Sequence, residues 1–175
     1  MKKIAITGKM GSGKSSVTKI IKELENAYVT SFSGPIRKTI QSVGLKPTRE
    51  LMQATGDFFR EFDNLVWTNL LLQETSSKQG TIVVEGVRYI FEAEKLRSEG
   101  FKILRVFSNE DQRKKRIEKR EGVEINDKIW DEWQNHGTEK FVDLIKADYC
   151  IDNNDSLEPL RETVKEILNN LELQM

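Results

Sequence analysis

Near the N-terminus, Gly8-Lys9-Met10-Gly11-Ser12-Gly13-Lys14-Ser15 fills the pattern G-x-x-x-x-G-K-[ST] at every fixed position. The chemistry of that spacing is phosphate binding. Backbone N–H groups of Gly11, Ser12, Gly13, Lys14 and Ser15 can point inward at phosphate oxygens, and a helix starting there adds positive potential. Lys14 then reaches the β- and γ-phosphates, and the Ser15 hydroxyl is offered to Mg²⁺. Gly8, Gly11, Ser12, Gly13, Lys14, Ser15 and Ser16 are the expected nucleotide-binding set. The bland alternative is a glycine-rich turn before a helix. Context argues against it, because the motif follows the first apolar run and opens the first amphipathic stretch.

A second group of charges lies in Gln112-Arg113-Lys114-Lys115-Arg116-Ile117-Glu118-Lys119-Arg120. Arg116 and Arg120 are four apart and share one helix face. Aimed at the phosphates, they would neutralise charge on the transferring group and exclude water on closure. Taken alone, the same residues read as a solvated face. A base-reading N-K-x-D segment, the mark of a GTPase, does not occur. A motor ATPase needs more chain than 175 residues. A small kinase needs room for a second substrate, and residues 35–79 supply a helical region for it.

The elements that must position these groups alternate along the chain. Apolar runs at Ile4–Thr7, Ala27–Thr30, Thr81–Val84, Ile103–Phe107 and Tyr149–Ile151 read as strands. Amphipathic spacing predicts helices from Lys14 to Asn26 and from Leu157 to Leu171. Pro35 opens a helix that Gly44 stops, and Pro47 and Thr48 open another that stops at Gly56. Asp63 can cap a helix carrying Leu65, Val66, Leu70 and Leu71. A further helix is expected before Gly100, and one from Thr138 to Lys146. The result is an α/β protein with a five-stranded parallel sheet between helices.

Composition narrows the class. Hydrophobic residues make up 37% and charged residues 32%, which suits one folded domain. Lys+Arg and Asp+Glu both count 28, so a globally basic nucleic-acid binder is disfavoured. One cysteine, Cys150, forms no internal disulfide and reads as core; the one histidine, His136, reads as structural. With no signal-like N-terminus and no span of roughly 20 apolar residues, a cytoplasmic protein without a membrane partner is expected.

Across nearly its whole length the sequence resembles the small nucleoside-phosphate kinases. Within them it resembles the phage-type deoxynucleoside monophosphate kinases, and it is similar to the dephospho-coenzyme A kinases. The residues that carry this are Gly8–Ser16, Ser31–Lys38, Arg49–Gly56 with Arg60, Asp63 and Trp67, Glu85–Arg88 with Glu92, His136–Glu139 and Ala147–Asn153. The resemblance implies a P-loop kinase fold with core (about 1–34, 80–110, 147–175), acceptor region (about 35–79) and lid (about 111–137). It implies ATP and Mg²⁺ as donor, and a nucleoside monophosphate as acceptor. Arg37, Arg60 and Arg88 would grip the acceptor phosphate, for which bidentate arginine is suited. Asp63, Trp67 and Glu92 would bound the acceptor pocket, and Glu85 would join Ser15 at Mg²⁺. Lys14, Arg88, Arg116 and Arg120 are the expected catalytic set. A homodimer fits the same picture.

The sequence departs from the family at Ser33-Gly34-Pro35, where an acid is usual. Transfer to a hydroxyl wants a general base nearby, whereas transfer to an ionised phosphate does not. The departure favours a monophosphate acceptor over dephospho-coenzyme A or a modified base in DNA. Glu85 or Asp63 could still supply a base. A nucleotide-binding switch without a small acceptor is the third reading.

Overall fold

The computed structural model describes residues 1–173. Five strands, β1 (Lys3–Thr7), β2 (Tyr28–Ser31), β3 (Ile82–Val87), β4 (Lys102–Phe107) and β5 (Tyr149–Asp152), form one sheet in the order β2-β3-β1-β4-β5. Every neighbouring pair is parallel. Between them run α1 (Lys14–Glu25), α2 (Ser33–Ser42), α3 (Arg49–Phe62), α4 (Val66–Thr75), α5 (Ile90–Ser98), α6 (Glu110–Glu121), α7 (Asp127–Asn135), α8 (Gly137–Lys140) and α9 (Leu157–Leu173).

The period-two alternation of the strands sorts their side chains onto two faces. Ile4, Ile6, Val83, Leu104, Val106 and Ile151 pack on one side against α1 and the Leu160, Val164, Leu168 stripe of α9. Ala5, Ile82, Val84 and Ile103 pack on the other, against α2, α4 and α5. Burial on both faces is why these strands read as continuous apolar runs. A third, smaller cluster joins Met10 to Ile117, Ile125, Trp130 and Trp133. Among the described residues no helix is long and apolar enough to cross a membrane.

Several local expectations are corrected. The helix expected to stop at Gly56 continues to Phe62. A Cβ on Gly56 would lie 3.3 Å from Ile36 Cδ1 and 3.1 Å from Arg60 Nη1, so this glycine serves close packing of α3 on α2. α2 starts at Ser33, ahead of Pro35, whose missing N–H is harmless in a first turn. α7 forms in a polar stretch for which no element is expected, with the Asn126 side chain accepting from Ile129 N–H as its cap. The helix expected from Thr138 to Lys146 is the single turn of α8 followed by a 3₁₀ turn, Val142–Leu144. Cys150 is exposed, because β5 is an edge strand with one alternate face turned outward. Trp67 is 2% exposed and sits in the core, its Nε1 donating to the Gly56 carbonyl at 3.0 Å.

Candidate active site

The β1–α1 turn opens at the carboxyl end of the sheet, where open α/β folds place their ligands. It borders a cavity of about 750 Å³. Gly11, Gly13, Lys14, Ser15 and Ser16 line that cavity. The first N–H groups of α1 have no intrahelical acceptor and are available to an anion. Gly11 has a φ of 75°, and a Cβ there would fall 2.5 Å from the Arg113 carbonyl oxygen, so α6 lies directly on the loop. Ser12 corrects the expectation made for it. Its N–H donates to the Lys9 carbonyl at 3.2 Å to close the turn, and its own carbonyl accepts from Asn153 Nδ2 at 2.8 Å. Ser12 and Gly8 therefore build the loop without facing the cavity.

Lys14 is nearly buried and folds back on the loop. Its Nζ donates to the Gly8 carbonyl at 2.7 Å and to the Lys9 carbonyl at 2.9 Å. Burial, then the Arg88 guanidinium, bring its pKa from 10.5 down to about 7; Glu139 and Glu85 act in the opposite direction. Anionic phosphate would restore the charge.

Glu85 lies in the second half of β3 and accepts from Ser15 Oγ at 2.9 Å and Thr18 Oγ1 at 2.9 Å. A hydroxyl and a carboxylate in one open cavity suit Mg²⁺, which takes one or two protein oxygens and keeps the rest for water and phosphate. Among the described residues no group of three His, Cys, Asp or Glu side chains forms a metal cage.

The cavity is also lined by Arg49, Arg60 and Arg88 and by Phe32, Ile36, Met52 and Gln53. Arg60 is held tightly. Its Nη2 lies 2.9 Å from Glu92 Oε1, its Nε 3.2 Å from the same oxygen, and its guanidinium 4.7 Å from the Tyr89 ring. Glu92 also accepts from the N–H groups of Arg88 at 3.0 Å and Tyr89 at 3.2 Å, closing a capping box on α5. Glu92 is 0% exposed, so it holds Arg60 from behind and does not face the acceptor as expected. Burial pushes its carboxyl pKa up, against the pull of Arg60.

Three other expected acceptor residues lie off the cavity. Arg37 is exposed on the outer side of α2. Asp63 is exposed in the turn between α3 and α4, where its Oδ1 accepts from Leu65 N–H at 2.9 Å. Trp67 is the core residue described above.

Of the lid arginines, Arg116 lines the cavity but is engaged with the back of the loop. It donates to Asn153 O at 2.8 Å, Ser108 Oγ at 3.1 Å and, longer, to the Gly11 and Ser12 carbonyls. Arg120 lines the cavity with its side chain 63% exposed, paired to Glu121 at 2.7 Å. Both border the cavity, and their four-residue spacing puts them on one face of α6.

Three residues at the site were not assigned a role from sequence. Arg49 begins α3, reaches Met10 Sδ at 3.4 Å and stacks 4.1 Å from the Trp133 ring. Met10, at one of the unspecified positions of the loop pattern, packs in the small cluster with α6 and α7 and offers its carbonyl to Arg113. Glu139 pairs with Arg88. The Thr48 cap signals the start of α3, which places Arg49 in its first turn; nothing local marks the other two.

A family model described as an AAA domain matches residues 4–136, from β1 through the last lid helix. A UPF0200 protein of Saccharolobus islandicus strain M.16.4 is 30% identical over 175 residues, covering 95% of this chain and 92% of that protein. Among solved structures, a gluconokinase from Sinorhizobium meliloti 1021 superposes with a TM-score of 0.61 at 17% identity, over 99% of this chain and 97% of that one. A shikimate kinase from Acinetobacter baumannii, in complex with shikimate, gives a TM-score of 0.61 at 18% identity, over 99% and 94%. The fold is therefore the P-loop kinase fold, an architecture that supports ATP-dependent phosphoryl transfer in general. With its loop, sheet order and relatives in agreement, the chain belongs to the AAA-domain family of P-loop proteins and, within it, groups with the UPF0200 proteins.

Proposed function

We propose that the protein transfers the γ-phosphoryl group of ATP to a (deoxy)nucleoside monophosphate, giving the diphosphate. The observation that carries this reading is the charge pattern of the cavity. Besides Lys14 the cavity is lined by further cations, Arg49 and Arg88 beside the loop and Arg60 on α3. The wall after β2 presents the hydroxyls of Ser31 and Ser33, 3.0 Å apart, and no carboxylate. The carboxylates lining the cavity, Glu85 and Glu139, are engaged with Ser15 and Thr18 and with Met10 and Arg88. An acceptor that must lose a proton is poorly served there. A phosphate, ionised already, needs only positioning and charge neutralisation.

In this reading ATP with Mg²⁺ supplies the phosphoryl group and the metal's charge. Loop amides and Lys14 hold the donor phosphates; Ser15 and Glu85 offer oxygens to Mg²⁺. Arg60 and Arg88 grip the acceptor phosphate, while Phe32, Ile36, Met52 and Gln53 make an apolar slot with one amide, suited to a flat base. Arg120, unburied at the mouth, meets developing charge as water is excluded.

A kinase of a hydroxyl acceptor, such as dephospho-coenzyme A or a modified base in DNA, is the second reading. It is favoured by Glu85, a carboxylate at the cavity able to act as base. ATP consumption across mononucleotides, dephospho-coenzyme A and DNA separates the two. Strong stimulation by one monophosphate is expected. Stimulation by a hydroxyl acceptor alone would replace the proposal, and a slow acceptor-independent rate would point to a switch.

A further inference from the structure

Glu139 is a cavity carboxylate for which the transfer step itself has no use. It is carried by α8, the single turn between the lid helices and β5, and its side chain is 3% exposed. Its Oε2 accepts from the Met10 N–H at 2.7 Å, and its Oε1 lies 2.5 Å from Arg88 Nη1. The same Arg88 nitrogen reaches the Gly8 carbonyl at 3.3 Å. One buried carboxylate thus joins the phosphate-binding loop, the arginine that follows β3 and the chain returning from the lid.

Burial of such a group is tolerated only with partners on both oxygens, and both partners here belong to the reaction site. Removal of the carboxylate would leave both the Met10 N–H and Arg88 Nη1 without this acceptor.

We propose that Glu139 is a positioning residue of the transfer site, holding Arg88 in one orientation against the loop and fixing the loop itself through the Met10 N–H. Its effect on the acceptor rests on the monophosphate-kinase reading. Its effect on the loop does not. Because α8 follows directly on α7, displacement of the lid would pull the carboxylate, and presentation of Arg88 is thereby tied to closure.

The test compares Glu139→Gln, Glu139→Asp, Arg88→Ala and the Arg88→Ala/Glu139→Gln pair, with thermal unfolding run on each. Glutamine keeps the shape, but its NH₂ opposes one of the two donors. Aspartate keeps the charge but is too short to span both. Both should fold and lose acceptor kcat/KM on the order of 100-fold, the scale of a misplaced catalytic contact. The double variant should be no worse than Arg88→Ala alone, because the loss runs through that arginine. ATP affinity, measured without acceptor, should weaken in Glu139→Asp, which cannot reach the Met10 N–H and Arg88 together. Unchanged acceptor kinetics in folded Glu139→Gln, or effects additive with Arg88→Ala, overturn the proposal. Should the wild type phosphorylate no monophosphate, the kinase reading fails, and ATP affinity alone decides: an affinity unmoved by Glu139→Asp overturns Glu139.

Discussion

Replacing Lys14 with methionine should make the free protein more stable while removing its activity. Methionine keeps the length of the side chain and discards the charge. In the folded protein Lys14 titrates near 7, against 10.5 in an unfolded chain. A depression of that size corresponds to about 5 kcal/mol of differential cost for the charged form. The two hydrogen bonds from Nζ to the Gly8 and Lys9 carbonyls are lost in the variant, and they return about 3 kcal/mol of that. A net gain of about 2 kcal/mol remains, or roughly 4–8 °C in Tm for a chain of this size. The pH dependence follows from the direction of the shift. Below about 7 the amine is charged in both states and the cost is present in full. Between there and 10.5 the unfolded chain binds the proton and the folded one does not, so the wild type gains stability as pH rises and the advantage of Met shrinks. Urea unfolding of both proteins without nucleotide, near pH 6 and near pH 9, measures this directly. Transfer should fall by at least about 100-fold, the 2.7 kcal/mol typical of losing one charge-stabilising group. A variant less stable than the wild type near pH 6, or near-normal turnover in a folded variant, would refute the reasoning.

Arg88→Ala should weaken the monophosphate and leave ATP affinity intact; equal loss of both ligands in binding calorimetry would move this arginine to the donor site. Arg60→Ala should do the same and also cost about 3 kcal/mol of stability, because fully buried Glu92 keeps only backbone donors; a kinetic effect without destabilisation would contradict the Glu92 pairing. Trp130→Ala, which empties the small cluster beneath the lid, should cost about 3 kcal/mol locally. It should speed hydrogen exchange across 122–136 more than in the sheet, and uniform exchange across both regions would show that the lid is no separate unit. In the wild type, ATP with acceptor should slow exchange in this segment, as Arg120 gains a phosphate partner.

The sheet and the loop were legible because each rests on a local pattern. Ile4 to Thr7, the glycine spacing and the stripe from Val17 to Leu24 lie within one short stretch of chain. The acceptor end was legible only in part. Arg60 and Arg88 could be named as arginines suited to phosphate, but whether an arginine faces the cavity depends on what holds it. Arg60 faces it because Glu92 grips it from behind, while Arg37, of the same type, is turned outward by the register of α2. Trp67 and Glu92 share a limitation of another kind. A tryptophan eleven residues past a glycine reads equally as pocket or core until the Gly56 carbonyl is found accepting from its indole N–H. Glu139 had no local signal at all, since its two partners lie 129 residues away at Met10 and, in the other direction of the fold, at the end of β3.

The arrangement around α6 changes what the lid can be. The family resemblance makes the whole stretch of about 111–137 a lid. In the fold, α6 is part of the loop's wall. The Arg113 backbone sits so close to Gly11 that no side chain fits between them, Arg116 holds the loop's outer carbonyls, and Ile117 packs on Met10. Tilting α6 away would therefore disassemble the phosphate cradle itself. α7 is held differently. It touches the loop cluster through Trp130 and Trp133, bonds α6 through Trp130 Nε1 to Glu110 at 2.7 Å, and meets the acceptor helix through the stack of Trp133 on Arg49. Those contacts can break one side at a time without disturbing Gly11 to Ser15. Val123 is 56% exposed in the link that joins the two helices. The expected moving part is therefore α7 with its flanking turns and not α6, and hydrogen exchange slower in α6 than in α7 without ligand is the result that checks it; equal exchange in both would refute it.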